Sequence, residues 1–301
     1  MKRDFLTIAE CTGSEIEGLL ARAVALKAGE DRGARPLAGK SIGLFFEKPS
    51  TRTRVSFEVG IHQLGAQPLY LTAQEIQLNR GESIADTARV LSRYLHGLVL
   101  RTHAHATIEE FAAHAAIPVV NALSDRHHPC QSLADLMTVF EKKGRLRGVR
   151  LAYIGDGNNV ANSLIEAAAR VGMEVIVACP EGYEPDPEVL ESARIGAEGE
   201  IVLLRDPREA AAGADVLYTD VWVSMGQERE AEKKKIKFRG YQVNSQLLRC
   251  ARPDALVLHC LPAHRGEEIT DEVMDGPQSG VFDQAENRLH TAKALLELLV
   301  R

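Results

Sequence analysis

The segment from Lys48 to Thr53 (KPSTRT) gathers three hydroxyl groups and two cations at one point of the chain. It follows the apolar run Ser41 to Phe46 and precedes an apolar stripe at helical spacing. The first turn of a helix has backbone N–H groups without partners in the helix, and the helix dipole adds partial positive charge there. The segment therefore predicts an anion site suited to phosphate. Taken alone, it leaves open the alternative that Ser50 or Thr51 only caps a helix.

Arg101, His128 and Gln131 lie at or just after the ends of two further apolar runs. A neutral imidazole and a guanidinium directed at one oxygen can polarise a carbonyl group. The side-chain carbonyl of a glutamine can accept a hydrogen bond from an amide NH₂ group. With a phosphate site next to them, these residues indicate an acyl phosphate as the ligand.

Three other patterns carry weaker signals. The glycines of Gly33–Ser41 precede a strand and have the wrong spacing, so we reject a P-loop. Gly155–Val160 resembles a dinucleotide fingerprint, but Val160 stands where the third glycine belongs. The His259/His264 pair lacks the spacing of a zinc motif, and we predict no metal site.

These residues must be positioned by alternating strands and helices. Apolar runs that predict strands alternate with segments of helical period, and the strands are predicted at residues 41–46, 68–71, 98–100, 118–122, 151–154, 175–178, 216–218 and 255–258. This alternation predicts an α/β fold with two doubly wound parallel sheets. Ligands of such sheets bind beyond the carboxyl ends of the strands, where nearly all the unusual polar residues fall.

Further patterns predict the domain boundaries, the start of the first helix and an exposed lysine run. A charged, glycine-punctuated stretch near residue 145 predicts a first domain of residues 1–145 and a second of 146–284, with a C-terminal helix, 285–301, packing back on the first. The Ser14 and Glu17 spacing predicts a capping box for the first helix. The lysine run at residues 233–235 is typical of a solvated face.

Composition limits the class of protein. The 301 residues are 45% hydrophobic and 26% charged, which is typical of a globular chain of about two domains. The formal charge of −6 argues against a nucleic-acid or membrane-surface protein. Five scattered cysteines predict reduced thiols, and with no signal-peptide or membrane segment evident we expect a cytoplasmic protein.

Four ordered motifs carry a family resemblance: FEKPSTRTRVSFEVG (46–60), HPCQSLADL (128–136), DVWVSMGQE (220–228) and HCLPAHRGEEIT (259–270). With these motifs the chain resembles the aspartate/ornithine carbamoyltransferase family along its whole length, and within it the ornithine-specific members. The resemblance implies two α/β domains with the active site in the cleft between them. It also implies a homotrimer with shared active sites, no cofactor and no metal.

The resemblance further implies residue roles. The set implied to bind carbamoyl phosphate is Ser50, Thr51, Arg52, Thr53, Gln77, Arg101, His128, Gln131, Cys260, Leu261 and Arg288, with Gln77 supplied to a neighbouring subunit. The set implied to bind ornithine is Asn159, Asp220, Ser224 and Met225. Arg101, His128, Cys260 and Thr53 would be the catalytic residues, and the ornithine amine would attack the carbamoyl carbon directly.

Alternatives remain open at this point. The amine could be that of putrescine, an acylated ornithine or aspartate, although a carboxylate at Asp220 suits a free α-ammonium group. An NAD-linked dehydrogenase using Gly155–Val160 would leave the phosphate motifs unexplained. A non-catalytic binding protein is a further alternative. The same residues would serve arginine biosynthesis or catabolism.

Overall fold

A computed structural model describes residues 2–31, 33–223 and 231–300 of the chain. The strands in these ranges are β1 (Ser41–Phe46), β2 (Gln67–Thr72), β3 (Gly97–Arg101), β4 (Val119–Leu123), β5 (Arg150–Ile154), β6 (Glu174–Ala178), β7 (Ile201–Leu204), β8 (Val216–Thr219) and β9 (Leu256–His259). The helices are α1 (Gly13–Ala28), α2 (Thr51–Gln63), α3 (Ile84–Tyr94), α4 (His105–His114), α5 (Pro129–Lys143), α6 (Asn159–Arg170), α7 (Pro187–Arg194), α8 (Pro207–Ala211), α9 (Ala231–Phe238), α10 (Ser245–Leu248), α11 (Asp271–Met274) and α12 (Val281–Leu299).

The chain divides into two compact units, Met1–Leu133 with Asn287–Arg301, and Ala134–Glu286. We call these the first unit and the second unit. The division falls within α5 and α12. The boundary expected at residue 145 lies in the loop after α5 and stays a prediction, while most of the C-terminal helix belongs to the first unit.

The first unit contains a parallel sheet with the strand order β2-β1-β3-β4. β1 is a continuous apolar run, and its last five residues are buried, as expected for a strand covered on both faces. The chain leaves β1 toward β2 on one side, and β3 lies on the other side. The carboxyl ends of β1 and β3 therefore flank a topological switch point, where ligands of such sheets bind.

The second unit contains a five-stranded parallel sheet with the order β7-β6-β5-β8-β9. Its switch point lies between β5 and β8, so the residues after Ile154 and Thr219 flank it. Alanine, valine, isoleucine and leucine side chains of the central strands pack into one buried cluster beneath the helices. The predicted α/β class with two parallel sheets is confirmed.

Two local predictions were wrong, and one strand was missed. The first helix has its capping box at Thr12 and Glu15, because Thr12 adopts the extended N-cap conformation and the helix already begins at Gly13. The edge strand β7 was not predicted, since it has only four residues, of which one is buried and three are half-buried. In the lysine run, Lys234 is buried against Asp156, with 2.6 Å between Nζ and Oδ2, and is not on a solvated face.

Candidate active site

The first unit gathers cations and hydroxyls at its switch point. Ser50 caps α2 by accepting a hydrogen bond from the Thr53 amide, which places the hydroxyl-rich segment at the start of the helix. Arg101 ends β3, where the register with β4 shifts between Leu100 and Arg101. Such an irregularity redirects a strand-end side chain. Thr53 and Arg101 are both buried.

Arg288 joins two other predicted residues, Thr53 and Gln131, into one cluster with itself. Its guanidinium donates to Thr53 Oγ1 and to Gln131 Oε1, each at 2.8 Å. Arg288 and Gln131 are buried. The carbonyl oxygen of Gln131 has a second lone pair, so it can still accept a hydrogen bond from a ligand NH₂ group.

His128 is a neutral group at this cluster. Burial, and then the charges of Arg288 and Arg101, hold the pKa of the His128 imidazole well below its usual value of about 6.5. A neutral imidazole can polarise a carbonyl without adding a full charge beside two arginines. The expected role of His128 in polarising the carbonyl stays a prediction.

Lys48 is a cation that the sequence reasoning did not assign. Its half-buried ammonium has a pKa below the usual value because of burial and the neighbouring Arg101 charge. Its position in the loop after β1 was the available signal. Together, Lys48, Arg101 and Arg288 supply the local positive charge that a net-negative chain needs to bind a dianion.

The remaining predicted residues of the first unit are more exposed. Thr51 is exposed, and Ser50 and Arg52 are half-buried at the start of α2. Gln77 is exposed on a short 3-10 helix, Gln77–Arg80. Its predicted contribution to a neighbouring subunit stays a prediction.

The second unit presents a carboxylate at its own switch point. Asp220 follows β8 and is buried. Its Oδ1 accepts from the thiol of Cys260 at 2.9 Å, and its Oδ2 accepts from Asn158 Nδ2 at 2.7 Å. Both donors are neutral, so the negative charge of Asp220 is positioned without being cancelled. Such a carboxylate suits an ammonium group.

Leu261 lies beside Cys260 in an unusual backbone conformation. Its φ angle is +59°, a left-handed value that is uncommon for a residue with a side chain and frequent at functional sites. The Leu261 amide donates to His259 Nδ1 at 2.9 Å, and His259 Nε2 lies 3.0 Å from the buried Glu268. Nδ1 must therefore be the acceptor and Nε2 the donor.

The other residues expected to bind ornithine are Asn159, Ser224 and Met225. Asn159 is half-buried and is the first residue of α6, at the end of the loop that follows β5. Ser224 and Met225 lie outside the described residues. Their expected role in ornithine binding stays a prediction.

The glycine-rich loop after β5 has a structural explanation other than a dinucleotide site. A Cβ atom on Gly157 would lie 2.2 Å from the backbone nitrogen of Pro185, so this position requires glycine. Val160, which replaces the third glycine, is buried. The loop is shaped by its own packing.

One group of potential metal ligands occurs among these residues. The donor atoms of Asp220, His259 and Cys260 lie within 4.8 Å of one another. Each of them has a hydrogen-bond partner in the chain, as described above. We derive no metal chemistry from this group.

Comparison with known proteins decides the family. A model of the carbamoyl-P binding domain of aspartate/ornithine carbamoyltransferase matches residues 3–141, and a model of the Asp/Orn binding domain of the same family matches residues 147–299. The chain belongs to the aspartate/ornithine carbamoyltransferase family. The resemblance inferred from the four motifs is confirmed.

Individual carbamoyltransferases are similar over the full length. The ornithine carbamoyltransferase of Acidothermus cellulolyticus is 58% identical, with 100% of this chain and 97% of that protein covered. The solved structure of ornithine carbamoyltransferase from Pyrococcus furiosus has a TM-score of 0.96 at 53% identity, covering 99% of this chain and 97% of that one. The enzyme from Thermus thermophilus has a TM-score of 0.91 at 47% identity, with 100% of both chains covered.

Proposed function

We propose that the chain transfers the carbamoyl group of carbamoyl phosphate to the side-chain amine of L-ornithine, which gives L-citrulline and phosphate. The observation that carries the proposal is the opposite charge of the two switch points. Buried arginines and hydroxyls suit the acyl phosphate, and the Asp220 carboxylate suits the α-ammonium group of an amino acid. Support also comes from the full-length similarity to ornithine carbamoyltransferases.

In the proposed reaction the first unit activates the carbamoyl group. The start of α2, with Ser50, Thr51, Arg52 and Thr53, binds the phosphate, and Arg101 contacts both the phosphate and the carbonyl oxygen. Neutral His128 polarises the carbonyl, and Gln131 accepts from the carbamoyl NH₂ group. Arg288 completes this set through its contacts with Thr53 and Gln131.

In the second unit, Asp220 binds the α-ammonium group and Asn159 the α-carboxylate of ornithine, with Ser224 and Met225 beside them. Cys260 and the Leu261 backbone position the attacking amine and the carbamoyl nitrogen. The amine nitrogen forms a bond to the carbamoyl carbon, the carbon–oxygen bond to phosphate breaks, and phosphate leaves with the amine proton. Arg101, His128 and Thr53 stabilise the oxyanion of the tetrahedral intermediate.

A citrulline assay tests the proposal directly. Purified protein with carbamoyl phosphate and ornithine should form citrulline, whereas putrescine, N-acetylornithine and aspartate should react at least about a hundredfold more slowly. Loss of a buried charge pairing costs roughly 3 kcal/mol, which is the basis of that factor. Equal turnover of putrescine, which has no α-carboxylate, would contradict the assignment of ornithine. No carbamoylated product with any of these amines would indicate a non-catalytic protein.

The proposed nucleophile sets a pH dependence. The side-chain amine of ornithine resembles that of lysine, with a pKa of roughly 10.4, so only a few molecules in ten thousand are neutral at pH 7. We expect kcat/KM for ornithine to rise about tenfold for each pH unit from 6 until a second group limits the rate. A value that is flat from pH 6 to 9 would contradict attack by the neutral amine.

We also propose that the chain forms a homotrimer in which Gln77 completes a neighbour's site. Support comes from three exposed apolar side chains of the first unit: Val55 is 50% exposed, Val59 39% and Leu69 40%. Val59→Asp should shift the mass measured by light scattering from trimer to monomer and should lower activity, with Ile195→Asp, at an exposed residue of the second unit, as the control. A trimer that is unchanged by Val59→Asp would contradict this interface.

We also propose a cellular setting for this reaction, the cytoplasm. The five cysteines, all in the described ranges, form no disulfide. In the described part of the chain, no helix has the length and apolar character needed to cross a membrane. Reduced thiols support a cytoplasmic enzyme of arginine metabolism, and measuring citrulline and carbamoyl phosphate levels in a deletion strain would test that role.

A further inference from the structure

Asn158 contacts Asp220 but has no role in the proposed reaction so far. It precedes α6 and is its N-cap residue, with Oδ1 accepting from the amides of Val160 and Ala161 at 3.0 and 3.2 Å. The same oxygen accepts from the hydroxyl of Tyr153 at 3.2 Å. On the other side of the amide, Nδ2 lies 2.7 Å from Asp220 Oδ2.

These contacts fix the orientation of the Asn158 amide. Three donors surround the position of Oδ1, and a carboxylate acceptor lies at the position of Nδ2. A flipped amide would direct its NH₂ group at the two backbone amides of Val160 and Ala161 and its carbonyl oxygen at a carboxylate, and these three contacts would be repulsive. The NH₂ group is therefore held toward Asp220.

The backbone around Asn158 is held as well. The Asn158 amide donates to the Asp156 carbonyl at 2.7 Å, and the Gly157 amide donates to the Tyr183 carbonyl at 2.9 Å. The Asp156 carboxylate forms a buried ion pair with Lys234. The loop between β5 and α6 thus supports Asn158 from both sides.

Asp220 needs such support because its carboxylate can rotate about χ2. Asn158 and Cys260 each occupy one of its oxygens, which fixes the plane of the carboxylate. We propose that Asn158 is a positioning residue for substrate selection, whose amide orients the Asp220 carboxylate toward the α-ammonium group of ornithine. This inference rests on the proposed function, in which Asp220 binds that ammonium group.

A simple helix cap would not need the NH₂ group of Asn158. Serine and aspartate cap helices about as well as asparagine, because each offers an oxygen acceptor. Asn158→Ser therefore keeps a cap and removes the donor to Asp220. Asn158→Asp keeps the cap and places a second carboxylate against Asp220, which should displace it further by repulsion.

The test compares two substrates that differ only in the ammonium group. Ornithine has it, whereas 5-aminopentanoate has the same chain, amine and carboxylate without it. We measure the ratio of kcat/KM for ornithine to that for 5-aminopentanoate, or of their inhibition constants against a common substrate if the analogue turns over too slowly. The ratio should fall about tenfold in Asn158→Ser and further in Asn158→Asp, because a hydrogen bond to a charged group contributes at least that factor. The KM for carbamoyl phosphate should stay within about threefold of wild type.

Asn244 provides a matched control in the same unit. Its Oδ1 caps α10 by accepting from Gln246 and Leu247, in the same manner as Asn158 caps α6. Asn244→Ser should leave the substrate ratio unchanged, which separates loss of a cap from loss of positioning.

The Asp220→Asn variant tests the ammonium-binding role of Asp220 separately from the positioning role of Asn158. It should lower the same ratio more strongly than Asn158→Ser. If Asp220→Asn lowers the ratio and both Asn158 variants leave it at the wild-type value, the positioning role is wrong while the site stands. If Asp220→Asn itself has no effect on the ratio, the role of Asp220 and the inference built on it are both overturned.

Discussion

The two units place their polar residues at equivalent points of similar sheets, but with opposite charge. In the first unit the switch point between β1 and β3 carries buried Arg101 and, through α12, buried Arg288. In the second unit the switch point between β5 and β8 carries the buried carboxylate of Asp220. The topology therefore sets where a ligand binds, and the few residues after each strand set the charge of the ligand.

The hydrogen bonds that hold these charged groups are of the same kind in both units. Arg288 donates to two neutral oxygens of its own unit, so its positive charge is not neutralised by a carboxylate in these contacts. Asp220 accepts from two neutral donors, so its negative charge is likewise retained. In these hydrogen bonds each charged group is held by neutral partners.

Replacement of Arg288 should have the largest effect, and it should act on the use of carbamoyl phosphate by the first unit. Arg288→Met removes a buried cation and leaves Thr53 and Gln131 without their donor. We expect kcat/KM for carbamoyl phosphate to fall about a thousandfold, because the variant loses a cation of the carbamoyl phosphate set and the contact that holds Thr53, one of the proposed oxyanion donors. Loss of one such donor costs a factor of 10² to 10³. The KM for ornithine should stay within about threefold.

Two further variants check this expectation by steady-state kinetics. Arg288→Lys keeps the charge, but a lysine ammonium lacks the planar guanidinium that donates to both Thr53 Oγ1 and Gln131 Oε1. We therefore expect an intermediate loss of kcat/KM for carbamoyl phosphate. Arg89→Met, at an exposed arginine of α3, is the control and should behave like wild type. A tenfold or smaller effect of Arg288→Met would show that the cation is not part of the phosphate site.

Replacement of Lys48 should impair the use of carbamoyl phosphate less than replacement of Arg288 does. Lys48 is half-buried and its pKa is lowered, so it is a solvent-screened cation beside Arg101. Lys48→Gln should raise the KM for carbamoyl phosphate about fivefold and leave that for ornithine unchanged. Lys142→Gln, at an exposed lysine of the second unit, is the control; an equal rise there would mean that only net charge matters.

The smallest expected effect concerns stability. Because the pKa of His128 is lowered in the folded protein, the unfolded chain takes up a proton near pH 6.5 that the folded chain does not. This contribution is present above pH 6.5 and is lost as the pH falls. From pH 7 to pH 5.5 the free energy of unfolding should therefore decrease less in His128→Gln than in wild type. The two decreases should differ by about 1.4 kcal/mol.

Urea unfolding at the two pH values measures this difference. His114→Gln replaces an exposed histidine at the end of α4 and should keep the wild-type pH dependence. If His128→Gln also keeps it, burial and the neighbouring arginines do not lower the pKa of His128 in the folded protein.

Much of this arrangement could be predicted from the sequence, because parallel strands are continuous apolar runs. Ser41–Phe46 was predicted with its observed bounds, and Arg101 and Asp220 were predicted at strand ends where the structure has them. The order of strands in each sheet was not predictable from periodicity alone. It is the strand order that places the ends of β1 and β3 beside one another.

The supporting residues were harder to predict, because their partners are distant in sequence. Asn158 contacts Asp220 across 62 residues, and Lys234 contacts Asp156 across 78. Neither contact leaves a local pattern, and Lys234 lies in a lysine run that reads as solvated. Arg288 was assigned by resemblance to the family, since nothing in its own helix points to Thr53.

The central claim is that the first unit binds carbamoyl phosphate and the second binds ornithine, and crossed kinetics test it most directly. Both Michaelis constants and kcat are measured for Arg101→Ala and for Asp220→Asn in one series. The account predicts that Arg101→Ala impairs the use of carbamoyl phosphate by at least about a hundredfold, whereas Asp220→Asn raises the KM for ornithine by a similar factor and that for carbamoyl phosphate by less than threefold. Equal effects of each variant on both substrates would contradict the division of labour.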